Sequence, residues 1–110
     1  MEITEKVWGT EKLIHNGQYA VKILIINPGK SISLQYHCTK TETMMVVSGS
    51  GLLTIGEDAL LEEISILPMT HIHIPPMTIH TVKNTGKNDL VIFEASTPEL
   101  EDVVRLELYG

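Results

Sequence analysis

Gln35, His37 and Glu42 fall within eight residues of one another. An amide oxygen, an imidazole and a carboxylate brought together suit Zn, Mn, Fe, Ni or Co rather than Ca. Three donors from one stretch cannot close such a site. His80 is the best fourth donor, lying after Pro75-Pro76 and four residues before Asn84. A period of two puts Ser31, Ser33, Gln35 and His37 on one face of a strand, and Ile32, Leu34 and Tyr36 on the other. A polar face opposite an apolar one, with Met44 to Val47 following at once, is expected to line a buried polar pocket rather than face solvent. Gln35 has two readings: a direct ligand, or an amide that hydrogen-bonds a ligand histidine from behind.

Those donors need strands to hold them. With 110 residues, 43% of them hydrophobic, the chain has the size of one domain with a real core. Asn16-Gly17 and Gly56-Glu57-Asp58 mark tight turns. Strands are expected over 18–27, 43–47, 52–55, 59–61, 64–67, 70–74, 79–83 and 90–95, with no long helical period. Many short strands between Gly, Pro and Asn turns predict an all-β sandwich or barrel. Residues 1–12 read as a polar arm whose lone Trp8 plugs the end of the core. Residues 18–95 read as the barrel, and 96–110 as a tail holding one helical turn or a final strand.

Composition excludes several classes. The formal charge is −6 with no Lys/Arg run, so nucleic-acid binding through a basic patch is not expected. No stretch has the length and apolarity of a membrane span, and residues 1–6 do not resemble a signal peptide. The single cysteine, Cys38, has no partner in the chain and is expected to pack away from the polar face. A cytoplasmic protein is the expectation. Lys22 stands among apolar neighbours, either as a substrate residue or with its ammonium reaching water from a strand edge. His71 and His73 share a face, and are expected at the surface or at an interface.

Two motifs then carry a likeness. Gly29, Gln35-Tyr36-His37, Glu42 and Gly49 follow the first cupin motif, with Gln35 in place of its first His. Pro75, His80 and Asn84 follow the second, with Met77 where Gly is usual. The chain resembles, over nearly its whole length, the type II phosphomannose isomerases, the cupin part of bifunctional mannose-1-phosphate guanylyltransferase/phosphomannose isomerases. Trp8-Gly9, Lys22, Pro28 to His37, Val46 to Gly49, Asp102 to Arg105 and Tyr109-Gly110 all match that family, in which Gln35 is the normal residue. The chain departs from it at Lys6-Val7, at Cys38-Thr39-Lys40 and at Thr81, where the family carries Arg-Pro, a His/Arg-rich run and Arg.

The resemblance implies a cupin, that is a double-stranded β-helix or jelly-roll barrel. It implies one divalent transition metal on Gln35, His37, Glu42 and His80, and a homodimer. It also implies a metal-dependent isomerase that interconverts mannose 6-phosphate and fructose 6-phosphate. Lys22, Lys40 and Arg105 are then the residues that grip a hexose phosphate or balance the enediolate charge. No residue stands out as the proton-shuttling base. A non-catalytic sugar-binding cupin and a small metal-dependent cupin dioxygenase are the rival readings.

Overall fold

The computed structural model describes residues 1–106. Its strands are β1 (Glu2–Lys6), β2 (Gly9–Asn16), β3 (Ala20–Ile26), β4 (Gln35–Tyr36), β5 (Glu42–Ser48), β6 (Gly51–Glu57), β7 (Leu60–Ile66), β8 (His71–Ile74), β9 (Ile79–Asn84), β10 (Leu90–Ser96) and β11 (Val104–Arg105). All pairings are antiparallel, and no helix occurs among the described residues. One sheet runs β1-β2-β3-β10-β5-β8, the other β11-β4-β9-β6-β7. This is the all-β, jelly-roll architecture of a cupin.

The two sheets enclose one apolar cluster. Leu24, Ile26, Met44, Val46, Leu53 and Ile92 are among its buried members, and Trp8 packs against it while half-buried. In β10 the inward residues Leu90, Ile92, Glu94 and Ser96 alternate with the more open Val91, Phe93 and Ala95. The same alternation in β3 turns Ala20, Lys22, Leu24 and Ile26 inward. Both strands are therefore largely apolar on both faces and each carries one ionisable residue, Lys22 or Glu94, on the inward face.

Several expectations need correction. Residues 2–16 form a hairpin that extends the first sheet, rather than an arm. Segments 59–61 and 64–67 belong largely to the single strand β7. Glu62-Glu63 interrupt the apolar pattern, but β7 is an exposed edge strand, so alternation is not demanded of it. The stretch 29–37 is mostly irregular: only Gln35–Tyr36 is a strand, joined by one bridge from Ser31 to Lys83. Ile32, which the period puts on the face opposite Gln35 and His37, is a core residue. The tail contains the short final strand β11 and no helix as far as Leu106. Its expected continuation and the Tyr109-Gly110 match lie outside the described residues.

The β1–β2 hairpin closes over the barrel at Trp8-Gly9. The Asn27 amide donates to the Trp8 carbonyl at 2.9 Å, tying the hairpin to the end of β3. Gly9 has φ +149°, and a Cβ there would lie 1.9 Å from the Ile25 carbonyl oxygen. Gly29 also has positive φ, +79°, but a Cβ there would meet nothing within 4 Å. Urea unfolding should therefore separate the two: Gly9→Ala should lower stability by about 3 kcal/mol or more, combining backbone clash and strain. Gly29→Ala should lower it by only about 1 kcal/mol, the left-handed penalty alone.

Candidate metal centre

Three of the four expected donors meet. One ligand atom each from His37, Glu42 and His80 lies within 4.8 Å of the others, and all three residues are buried. Glu42 Oε1 is 3.1 Å from His37 Nε2 and 3.0 Å from His80 Nε2. Glu42 opens β5, His80 lies in β9, and His37 follows β4, so both sheets and a connecting loop contribute. The two motif segments are joined directly, since the Met77 amide donates to the His37 carbonyl at 2.6 Å. Met77 has φ +66°, the left-handed conformation that explains a glycine preference at that place in the motif.

The outer nitrogens decide the ring orientation. His37 Nδ1 lies 2.6 Å from the Asp102 carbonyl oxygen, and His80 Nδ1 lies 2.9 Å from that of Thr78. A carbonyl only accepts, so each ring donates through Nδ1 and turns Nε2 toward Glu42. In neutral rings those Nε2 atoms are lone pairs facing a carboxylate, a repulsive arrangement. Two ring protons resolve it, and so does one divalent cation lying between the three atoms. Two imidazoles and a carboxylate, with each imidazole fixed from behind, are a donor set that fits a divalent transition metal.

Gln35 is the cross-strand partner of His80, and both line the same cavity. Its Nε2 donates to the Ser33 carbonyl at 3.2 Å, which leaves its Oε1 as the atom free to act as a donor. Arg105 partners Gln35, so Arg105, Gln35 and His80 form one row across three strands. The cavity measures about 830 Å³ and reaches from the metal donors to Trp8 and Arg105 at its rim.

The lysines are not where an edge reading puts them. Lys22 lies on β3, an inner strand, and points into the cavity, where Nζ is 3.3 Å from Glu11 Oε1. Lys40 is 4% exposed, with Nζ 3.7 Å from Glu42 Oε2. Cys38, expected to pack, is exposed. It sits in a turn whose amides are claimed by one carboxylate: Asp102 accepts from the backbone N–H of Cys38, Thr39 and Lys40 at 3.0, 2.7 and 2.8 Å. Those three bonds hold the Asp102 carboxyl below its ordinary value. His71 and His73 are exposed on β8, and Thr43 Oγ1 is 3.1 Å from His73 Nδ1.

Sequence reasoning missed Glu94. It lies in β10 between Lys22 of β3 and Met44 of β5, inside the cavity. Burial, then the charge of Glu42 and a hydrogen bond to it, push the Glu94 carboxyl up to about 8. Burial also opposes the charge of Glu42. The hydrogen bonds with His37, His80 and Glu94 and the charge of Lys40 outweigh it, holding Glu42 well below the usual carboxylate range. One carboxyl is thus the anion and its neighbour keeps the proton. The signal was present as a lone acid among apolar residues in β10, but both faces of that strand are apolar, so its direction was not readable.

The chain matches the family model "Mannose-6-phosphate isomerase C-terminal" over residues 2–108. The chain belongs to this family. It is 34% identical over 107 residues to a mannose-1-phosphate guanylyltransferase of Salmonella muenchen, covering 94% of this chain and 22% of that protein. It is 35% identical over 108 residues to the xanthan biosynthesis protein XanB of Xanthomonas campestris, with 94% and 22% covered. The chain therefore spans about a fifth of the length of the curated relatives it matches. In fold it is similar to the capsular polysaccharide assembling protein CapF of Staphylococcus aureus, with TM-score 0.86, 23% identity, and 97% and 32% of the two chains covered. A Lactobacillus farciminis oxalate decarboxylase gives TM-score 0.84 at 19% identity, with 96% and 33% covered. At those identities the likeness is one of cupin fold.

Two measurements test the centre. Metal analysis should find one divalent ion per chain, and His80→Ala should lower metal affinity at least ten-fold by removing one imidazole. Thermal unfolding of chelator-treated protein should show the Glu94 effect. Its folded pKa is raised above the ordinary 4.5, so its contribution is complete below pH 4.5 and is lost as pH rises through about 8. Glu94→Gln should flatten the decline in melting temperature between those limits, and be the more stable form above pH 8.

Proposed function

We propose that this domain is a metal-dependent aldose–ketose isomerase acting on a hexose phosphate, interconverting mannose 6-phosphate and fructose 6-phosphate. The observation that carries the reading is the convergence of His37, Glu42 and His80 at the end of a polar cavity wide enough for a sugar, in a chain of the mannose-6-phosphate isomerase C-terminal family. Gln35 completes the donor set through its free Oε1. A divalent metal held there supplies Lewis acidity to a bound carbonyl or hydroxyl oxygen. Its identity belongs among Zn, Mn, Fe, Ni and Co.

The protein's own groups do the rest. Isomerisation moves one proton from C2 to C1 and one from O2 to O1, with no net change in atoms. The transfer needs a group that takes and returns a proton beside the sugar. Among the cavity carboxyls, Glu42 is committed to two imidazoles, Glu11 to Lys22, and Glu5 accepts from Thr10. Glu94 remains, facing the cavity next to Glu42; raised to about 8, its carboxyl takes the carbon proton when ionised, a fraction that grows as pH rises toward that value, and returns it from the protonated form. Lys22, in the same cross-strand row as Glu94, lies where it offsets negative charge developing on the sugar oxygens. Lys40 holds Glu42 Oε2, which leaves Oε1 presented to the metal point. Trp8 at the rim limits access of water.

A coupled assay for fructose 6-phosphate, run on chain loaded with each metal in turn, tests this. Turnover should disappear together with metal binding in His80→Ala. In Glu94→Gln it should fall about a hundred-fold or more while metal content stays at the wild-type level. Absence of turnover in every metal form removes the isomerase reading, and retained sugar binding would then identify a binding cupin. Oxygen consumption would identify the dioxygenase instead.

A further inference from the structure

Four cations line the cavity: Lys6, Lys22, Lys40 and Arg105. Two are spent internally, with Lys22 3.3 Å from Glu11 and Lys40 3.7 Å from Glu42. Among the described residues, Lys6 and Arg105 make no such ion pair. Lys6 ends β1 at the hairpin over the mouth, opposite Gly9. Arg105 enters from the facing sheet through β11. Glu11 and Glu42 neutralise Lys22 and Lys40, Glu94 keeps its proton, and Glu5 adds one more negative charge, so an anionic substrate needs cations that are not already neutralised. Only these two remain, and they lie at the rim rather than beside the metal donors.

We propose that Lys6 and Arg105 form an anion subsite at the cavity mouth that takes the phosphate of a hexose 6-phosphate. The inference rests on the sugar-phosphate reading above and adds which end of the sugar points outward. Arg105, Gln35 and His80 are successive partners across three strands, so the Arg105 and His80 backbones stand about 10 Å apart at the usual strand spacing. With C1 and C2 at the metal donors, a C6 phosphate lies at the far end of the molecule and meets this pair. A C1 phosphate lies beside the reacting carbons, among the carboxyls. The Arg105 guanidinium gives a two-pronged contact with phosphate, and Lys6 adds a point charge from the opposite side. Of Lys22, Lys40 and Arg105, the three residues that the resemblance offers for gripping phosphate, only Arg105 keeps that role, and the two lysines are left to the chemistry at the cavity floor.

Calorimetric titration of the metal-loaded chain with 1,5-anhydromannitol 6-phosphate, which lacks the anomeric oxygen and cannot isomerise, separates binding from turnover. The unphosphorylated 1,5-anhydromannitol is the comparison. The phosphorylated ligand should bind at least ten-fold more tightly. Lys6→Gln and Arg105→Gln should each weaken it about ten-fold, leave the unphosphorylated ligand unchanged, and keep wild-type metal content, which reports an intact fold. Lys6→Arg should retain tight binding. Equal affinity for the two ligands, or variants that bind the phosphorylated one as wild type does, overturns the subsite, whatever the assay for turnover gives. Phosphate-dependent binding lost in the variants supports it even where no isomerisation is found, in which case the isomerase reading alone fails.

Discussion

The Glu42 carboxylate, buried between two imidazoles, is the constraint to which the rest of the site answers. An ionised carboxyl removed from water is strongly unfavourable unless every oxygen is compensated. Here Oε1 faces both Nε2 atoms, which compensate it only through ring protons or a shared divalent cation, and Oε2 faces Lys40. Each compensating group must itself be held. His80 is fixed by the Thr78 carbonyl, His37 by that of Asp102, and the Lys40 amide by the Asp102 carboxylate. Removing Glu42 would leave Lys40 buried without its partner, and removing the imidazoles would leave Glu42 Oε1 with no group to face. The centre is therefore a mutually dependent set, and the sheets position it because they bring the start of β5 opposite β9.

The second carboxyl follows from the first. Glu94 shares the same interior, and two adjacent carboxylates there would repel with little water to screen them. The proton stays on Glu94 because Glu42 has the better partners. Charge then alternates across the cavity wall: Glu11 against Lys22, Lys22 beside neutral Glu94, Glu94 against Glu42, Glu42 against Lys40. This arrangement leaves a site acidic enough to attract a divalent cation, while its only unpaired cations among the described residues stand at the entrance.

The convergence of His37, Glu42 and His80 was legible because donor chemistry survives without knowing the fold. His37, Glu42 and His80 are the residue types a transition metal takes, and the glycine and proline positions around them fix their spacing. The interior charges were less legible for a specific reason. In β10, Leu90-Val91-Ile92-Phe93-Glu94 is apolar at both phases of the alternation, so nothing in the strand says whether Glu94 points in or out. Lys22 in β3 poses the same ambiguity, and its burial is decided by Glu11 on β2, a strand with no clear apolar period. The β1–β2 hairpin was missed for that reason too: its residues are mostly polar, and only the pairing with β3 makes them strands. Gly29 to His37 misled in the opposite sense. Its alternation is regular on paper, but the segment pairs at only a few points, and Ile32 turns into the core.

The segment around Asp102 shows how far the site extends beyond its donors. It lies at the far end of the chain from the first motif, yet its backbone carbonyl orients His37 and its carboxylate caps the N–H groups of Cys38, Thr39 and Lys40. One residue thus sets the tautomer of a donor and the conformation of the turn that carries Lys40 to Glu42. Past Val103, Val104 and Arg105 pair with Tyr36 and Gln35 and so align the cavity rim with the same row as His80. A short strand of two residues buries little and would not persist alone. It persists because Asp102 is anchored on one side and the Leu106 amide donates to the Leu34 carbonyl on the other. The segment from Asp102 to Leu106 is therefore a wall of the site, and the match of Asp102 to Arg105 with the family pattern goes with geometry at the centre.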